Sequence, residues 1–242
     1  MNLLQMGQLL YQEVGAAGAY PTTVVGATGQ WQRLVNWLIS SEFYIQNLYV
    51  NWKWLRQTYP TTTVPTVNTD PGPTTPAVGE WDYDSWFLTY PGSTTPSPLK
   101  AVEWEDVKGE IVDPNDTGVP WRVVIMPDNT LRFDGIPNGA YPVTGVYYQT
   151  PTVMPFADAS VSPIPSRFHW TIVAQAMIRY ANYEGAEGIL AQGTGQYTDY
   201  LARLENSQIP NKKNARFRAN AHFAVGDEGD GGGHYDNRRG WC

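Results

Sequence analysis

Histidines are the first residues to test for catalysis or metal binding, and the sequence has three, His169, His222 and His234. His169 stands between Phe168 and Trp170 at the expected start of a helix, where a buried or capping histidine is commoner than a catalytic one. His222 and His234 are separated by a glycine-rich stretch without the ligand spacing of a zinc site. We expect no histidine-based chemistry.

Carboxylates offer acid–base catalysis or calcium binding as the next possibilities. Glu103, Glu105 and Asp106 could supply a glycosidase pair, but nothing in the sequence fixes a partner or raises a pKa. The acidic run at 227–230 lacks the ligand alternation and closing glutamate of a calcium loop. Ser85 has no neighbouring base, and Gly-x-Ser-x-Gly does not occur. The sequence therefore predicts no enzyme, no cofactor and no metal ion.

The overall composition suits either interaction with other chains or a β-rich core. Charged residues make up 16% of the chain and aromatic residues 13%, and interface cores favour Tyr and Trp over charges. Trp81, Trp86, Trp104 and Trp121 could stack on sugars or fill a core. The net charge of -7 argues against a general nucleic-acid binder.

Targeting signals and cross-links are not evident. The one cysteine, Cys242, excludes an internal disulfide framework and a cysteine-based zinc site. No apolar run is long enough to span a bilayer, and Gln5, Gln8 and Gln12 interrupt any signal-peptide core. We expect a protein made in a cytoplasm, with no membrane partner.

One long apolar stripe organises the elements that position these residues. Its members are three or four residues apart, so they share one face of a helix: Trp31, Leu34, Leu38, Ser41, Ile45, Leu48, Trp52 and Leu55. No Pro or Gly interrupts the stripe, and Pro60 forbids continuation. The pattern predicts a helix from Trp31 to near Arg56.

Three further segments have the same spacing and can pack on this stripe. One runs from about Asn2 to Val14, one begins after the cap Ser166, and the last ends at Pro210. Helices from both chain ends thus form a predicted four-helix bundle. Its expected core residues are Leu34, Leu38, Ile45, Leu48, Trp52, Ile172, Ala176, Leu201 and Leu204.

Between the helices, the sequence has short strand-like runs separated by turn residues. Thr61 to Pro76 reads as a long extended excursion. Strands are expected over 81–90, 101–112, 121–126, 130–133 and 141–150. The clearest hairpin joins 121–126 to 130–133 through Pro127-Asp-Asn. We therefore expect an α+β fold, a four-helix bundle built from both chain ends with an inserted antiparallel β domain and an extended C-terminal tail.

The expected organisation is N-terminal helices at 1–59, a β-rich insertion at 60–163, C-terminal helices at 164–210 and a tail at 211–242. The tail carries a charge of +2, against -9 for the rest of the chain. It is too polar to bury a core of its own, so it is suited to ordering on a partner's surface. Simple disorder is the alternative.

Short pieces in order along the chain resemble phage head-to-tail adaptor proteins. The matching pieces are Leu3 to Gly15, Pro21 to Gly26, Arg33 to Trp37, Ile45-Gln46, Trp52 to Leu55, Leu131 to Phe133, Tyr141 to Val143, Tyr147-Tyr148, Ile164 to His169, Ile172-Val173, Ala176-Met177, Tyr180-Ala181 and Leu201 to Pro210. The resemblance covers nearly the whole chain to Pro210.

The resemblance implies a structural virion protein, not an enzyme, in the neck between capsid and tail. Such adaptors form a homo-oligomeric ring, commonly a dodecamer, that docks on the portal protein and meets a downstream tail or nozzle protein. DNA passes through the channel, including during genome ejection, without sequence-specific binding.

In this family the C-terminal segment commonly extends along the portal. The resemblance therefore implies portal contacts by the basic and aromatic tail residues Lys212, Lys213, Arg216, Phe217, Arg218, Phe223, Tyr235, Arg238, Arg239 and Trp241. The alternative is a tail-associated receptor- or glycan-binding protein that uses the aromatic β insertion. It would need exposed Trp and Tyr side chains clustered in a groove.

Overall fold

A computed structural model of the chain describes residues 1–110 and 116–209. These residues have a mixed α+β architecture, and the segment Met1–Pro210 forms one compact unit. Long helices lie at both ends of the described chain, with the strands between them. The expected α+β class is confirmed.

The helices begin and end at residues whose chemistry accounts for the boundaries. They are α1 (Leu3–Glu13), α2 (Gly29–Gln46), α3 (Trp104–Val107), α4 (His169–Glu184) and α5 (Glu187–Gln208). Asn2 begins α1 with a capping box, because its side chain accepts from the Gln5 N–H while the Gln5 side chain accepts from the Asn2 N–H. Gly185 ends α4 with a φ of +70°, in the left-handed region that favours glycine. None of the helices among the described residues combines the length and the hydrophobicity of a membrane-spanning segment.

The helical core lies between α1, α2 and α4, which contact one another pairwise. α5 lies along α4, and only Gly193 and Leu204 are fully buried among its described residues. Gly193 allows the close approach, since a Cβ there would lie 3.1 Å from the Cβ of Met177. Gly193 thus serves the packing of α5 against α4.

α2 ends at Gln46, so the prediction of a helix to near Arg56 is wrong. The chain then turns, and Lys53–Leu55 form a single 3-10 turn. Trp52 and Leu55 are nevertheless fully buried. The Trp52 indole N–H donates to the Ile45 carbonyl at 3.2 Å, so the chain folds back onto the end of α2. The apolar spacing predicted burial correctly, but it did not predict the helix end.

The strands of the described residues form two larger sheets and one short pair. They are β1 (Arg56–Thr62), β2 (Thr69–Asp70), β3 (Val78–Thr89), β4 (Pro96–Pro98), β5 (Lys100–Glu103), β6 (Thr117–Gly118), β7 (Arg122–Ile125), β8 (Leu131–Asp134), β9 (Ile136–Pro137) and β10 (Pro142–Gln149). The first sheet has the order β1-β10-β3-β4, and the second has the order β2-β8-β7-β5. The predicted hairpin is confirmed as β7–β8.

Three expectations about the insertion need correction. β5 is parallel to β7, and β6 is parallel to β9, so the pairing is not antiparallel throughout. β1 occupies the start of the expected excursion. The strand expected at 101–112 ends at Glu103, where α3 begins, and its last two residues lie outside the described residues.

The two sheets enclose a core rich in large aromatic side chains. The side chains of Trp81 and Trp86 are at its centre, with ring centroids 5.1 Å apart. The buried members are Trp81, Trp86, Leu88, Leu99, Val123, Ile125, Leu131, Phe133, Tyr141, Val143 and Tyr147. β1 and β2 are joined across the sheets by Asp70, which accepts hydrogen bonds from Tyr59 and Thr61.

Candidate interaction surfaces

The His and Ser side chains considered above for catalysis form hydrogen bonds that hold the fold together. His169 is fully buried, and its Nε2–H donates to the Ile164 carbonyl at 2.8 Å. Burial lowers the pKa of His169, which favours the neutral ring. The Ser85 hydroxyl donates to the Asp82 carbonyl and accepts from the Val146 N–H, so it joins β3 to β10. His222, His234 and the acidic run at 227–230 lie outside the described residues.

The carboxylates at 103–106 do not form a catalytic pair. Glu105 is ion-paired with Lys108 on the surface, whereas Glu103 is the carboxylate that acts most strongly on Tyr83. Burial, together with the negative charge of Glu103, raises the pKa of Tyr83 to about 12. Among the described residues, no group of three or more His, Cys, Asp and Glu side chains is arranged to hold a metal ion.

The four tryptophans proposed for sugar stacking do not share one surface. Trp81 and Trp86 are buried between the sheets. Trp104 is half-buried beneath the Arg132 guanidinium, and Trp121, 52% exposed, lies against that of Arg122. These side chains therefore do not form the aromatic groove that a glycan-binding protein needs.

The expected bundle-core residues belong to the described part of the chain, whereas the expected tail residues do not. Fully buried are Leu34, Leu38, Ile45, Trp52, Ile172, Ala176 and Leu204, while Leu48 and Leu201 are half-buried. The tail residues Lys212, Lys213, Arg216, Phe217, Arg218, Phe223, Tyr235, Arg238, Arg239 and Trp241 lie outside the described residues.

An exposed group of large side chains lies at the C-terminal end of α2 and in the turn after it. Phe43, Tyr44, Tyr49 and Val50, which we call the aromatic face, are each 36–47% exposed. The guanidinium of Arg179 on α4 lies 6.0 Å from the centre of the Tyr44 ring. Sequence reasoning identified only a surplus of aromatic residues, because exposure depends on how α2 packs against α4.

Polar groups with unused hydrogen-bonding capacity lie on the neighbouring helices α4 and α5. The Tyr197 hydroxyl and the Arg179 Nε are buried, and neither has a hydrogen-bond partner among the described residues. Burial raises the pKa of Tyr197, with a further contribution from Tyr44. The hydroxyl is therefore a donor at neutral pH. Arg and Tyr are the residue types that dominate binding hot spots.

A buried polar cluster fastens the segment between β10 and α4 to the helices. The Glu42 carboxylate on α2 accepts from Gln46 Nε2 at 2.6 Å and from the Ser162 hydroxyl at 2.9 Å, and Gln46 Nε2 also donates to the Thr152 carbonyl. Glu42 Oε2 is buried and has no partner within the described part of the chain. Burial raises the pKa of Glu42, and the two hydrogen bonds only partly oppose this.

We expect Glu42→Gln to be more stable than the parent at pH 7 by at least about 1 kcal/mol. This is the approximate cost of burying a charged oxygen without a hydrogen-bond partner. Because the pKa of Glu42 is raised in the folded protein, its protonated form stabilises the fold, and this contribution is fully present below the ordinary pKa of 4.5. It is lost as the pH rises through the folded-state pKa. Urea unfolding across this range should show the advantage of the variant growing with pH. The exposed Glu184→Gln is the control, and an advantage that is constant with pH would contradict the assignment.

The described residues combine exposed aromatic and charged surfaces with polar groups that serve the fold, which is the character of a structural interaction protein. Residues 11–221 match the family described as SU10 adaptor protein. The chain belongs to this family, which confirms the resemblance to phage head-to-tail adaptors and gives it a structural adaptor role. No curated protein sequence matches the chain.

Proposed function

We propose that the protein forms a homo-oligomeric ring, of about twelve copies by analogy with the adaptors that it resembles, which docks on the portal in the virion neck. It joins the portal to a downstream tail or nozzle protein. The observation that carries this proposal is the family match over residues 11–221, which extends from the end of α1 through the β insertion and past Pro210. A match to the insertion or the helices alone would not favour a complete adaptor.

In this proposal, α1, α2, α4 and α5 act as a four-helix bundle that contacts neighbouring copies and the portal. The aromatic face supports this role, because Phe43, Tyr44 and Tyr49 are exposed, and Arg179 lies over the Tyr44 ring. Interface cores are enriched in these residue types. The parts that act together are the helices at 1–59 and 164–210, the insertion at 60–163 and the tail at 211–242.

The charge distribution supports a channel through which DNA passes without being bound. The chain outside the tail carries -9, and an acidic lining repels the phosphate backbone. The tail is basic and aromatic, which suits attachment to the portal. The genome would therefore pass through the ring during ejection without sequence-specific contacts.

The test is to mix the purified full chain with the portal and determine the mass and symmetry of the product by native mass spectrometry and electron microscopy. We expect a ring on the portal and no ring without it. Tyr44→Ser should weaken attachment or ring closure by about thirtyfold if it is a hot spot worth 2 kcal/mol. Tyr20→Ser, equally exposed on a loop elsewhere, is the matched control. An adaptor that never joins a portal ring would refute the proposal.

A chain ending at Pro210 separates the role of the tail from that of the helices. It should fold, since the described elements end before this residue, and it should bind the portal much more weakly. Equal affinity of the cut and full chains would remove the tail from the proposal while leaving the ring intact.

A further inference from the structure

The edges of the first sheet are set by where its prolines fall in the ladder. β1 pairs with β10 in a register that places Pro60 opposite Thr144 and Thr62 opposite Pro142. In an antiparallel ladder, pairs that exchange two hydrogen bonds alternate with pairs that exchange none. Proline has no N–H, so a pair that contains proline cannot form both of these hydrogen bonds. Both of these pairs are therefore of the type without hydrogen bonds. Pro60 therefore directs its backbone nitrogen and carbonyl away from β10.

The same alternation fixes the direction of every residue on β1. Gln57, Tyr59 and Thr61 bond to β10, whereas the backbone groups of Arg56, Thr58 and Thr62 point outward with Pro60. The Arg56 N–H donates to the Lys53 carbonyl. Within the described part of the chain, the outward backbone groups of Thr58, Pro60 and Thr62 form no hydrogen bond. β1 spans seven residues, and its edge is therefore open from Thr58 onward, where it could pair with a strand of another chain.

The opposite edge of this sheet has the same feature. β4 places Pro98 opposite Phe87 and Pro96 opposite Thr89 on β3. The pair between Ser97 and Leu88 therefore carries the hydrogen bonds, and the Leu99 N–H continues them to the Trp86 carbonyl at 2.9 Å. Pro96 and Pro98 consequently direct their ring nitrogens outward, where an incoming strand would need a donor.

We propose that Pro60, Pro96 and Pro98 close both edges of the first sheet to strand addition, so that other chains contact the β insertion through side chains and not by extending its sheet. Each proline removes an outward N–H, and its ring obstructs an approaching strand. Pro60 stands near the middle of β1, where it divides the edge into two short pieces. The second sheet needs less protection, because its outer strands, β2 and β5, have only two and four residues.

A proline scan of β1 tests the direction of the backbone groups. Thr58→Pro should lower the melting temperature little, because the Thr58 N–H points outward and has no partner. Gln57→Pro should lower it by many degrees, because the N–H that it removes bonds to β10. Equal losses at the two positions would overturn the assignment of the open edge.

Removal of the prolines tests their role. Pro60→Thr and Pro98→Thr in the full chain should keep the fold and self-associate by at least about fivefold more tightly, the effect of one restored hydrogen bond of 1 kcal/mol. Sedimentation velocity measures the association, and hydrogen exchange should show new protection at the Thr58 and Thr62 amides. Pro91→Thr, an exposed turn substitution, should behave like the parent. If Pro60→Thr does not fold, Pro98→Thr decides alone, and a folded variant that sediments like the parent would overturn the proposal.

Discussion

Replacement of Asp134 by asparagine is expected to lower the free energy of unfolding by about 3 kcal/mol, the lower end of the range for breaking a buried ion pair from one side. The Asp134 side chain is 2% exposed, and its carboxylate lies 2.5 Å from Arg122 NH2 and 3.0 Å from Arg132 Nε. Asparagine keeps the shape of the side chain but removes the charge that balances two guanidinium groups. Arg122 is itself only 7% exposed, so water cannot take the place of the carboxylate, although Arg122 keeps an ion pair with the half-exposed Glu110 at 2.6 Å.

Urea or guanidinium unfolding of the variant and the parent measures this loss directly. Asp199→Asn is the matched control, because Asp199 pairs with Arg203 at 2.8 Å while both side chains are more than half exposed. Such exposed pairs are worth at most about 1 kcal/mol. Similar losses at the two positions would mean that burial does not strengthen the Asp134 cluster.

A double replacement separates the attraction in this cluster from the cost of an unpaired charge. Arg122→Met combined with Asp134→Leu removes both buried charges and keeps apolar volume between β7 and β8. We expect it to be more stable than Asp134→Asn, because replacing both members of a buried ion pair is often close to neutral, and the remaining Glu110 and Arg132 are 51% and 15% exposed. A double variant that is less stable than the single one would show that the attraction within the pair, and not the poorly balanced arginine charge, dominates.

In the helical part of the fold, the spacing of apolar residues predicted which side chains are buried. The stripe on α2 identified Leu34, Leu38 and Ile45, which are fully buried. The same spacing continued through Trp52 and Leu55 although the helix had ended at Gln46. Periodicity alone does not distinguish a helix from a chain that turns back and inserts its next aromatic residue into the same core.

The β insertion was less predictable, because strand pairing depends on contacts between distant residues. β1 was missed since Pro60 and its neighbouring threonines suggested a loop, whereas proline is tolerated on an edge strand. The parallel pairing of β5 with β7 could not be predicted, because parallel strands are not joined by a short turn with recognisable residues. The hairpin β7–β8 was predictable from its turn, yet the ion cluster needed the exact register that places Arg122 opposite Asp134.

The interaction surfaces were the least accessible to sequence reasoning. Trp81 and Trp121 stand in similar strand-like stretches, but one is in the core and the other is exposed. Which aromatic residue remains outside is decided by the sheet that covers it. The sequence could therefore predict that some aromatic residues remain exposed, but not that Tyr44 and Tyr49 would be among them.

Gly145→Ala is expected to lower the free energy of unfolding by about 3 kcal/mol, the upper end of the range for overpacking a core. Gly145 lies on β10 opposite Tyr59, and the indole of Trp86 lies directly against its backbone. An added Cβ would be 2.7 Å from Cε2 and Cζ2 of Trp86. Trp86 is buried and packed against Trp81, so its ring has no free space to move into.

Gly139→Ala is the matched control, because its Cβ would meet the Tyr141 ring at an ordinary distance of 3.5 Å. It should change stability by no more than about 0.5–1 kcal/mol in either direction, since alanine also restricts the unfolded chain. A double-mutant cycle with Trp86→Leu then locates the strain. Trp86→Leu is itself costly, but Gly145→Ala should add little to it, because the smaller side chain leaves room for the methyl group. If the alanine costs as much in the Trp86→Leu background as in the parent, the contact with the indole is not the reason for glycine at this position.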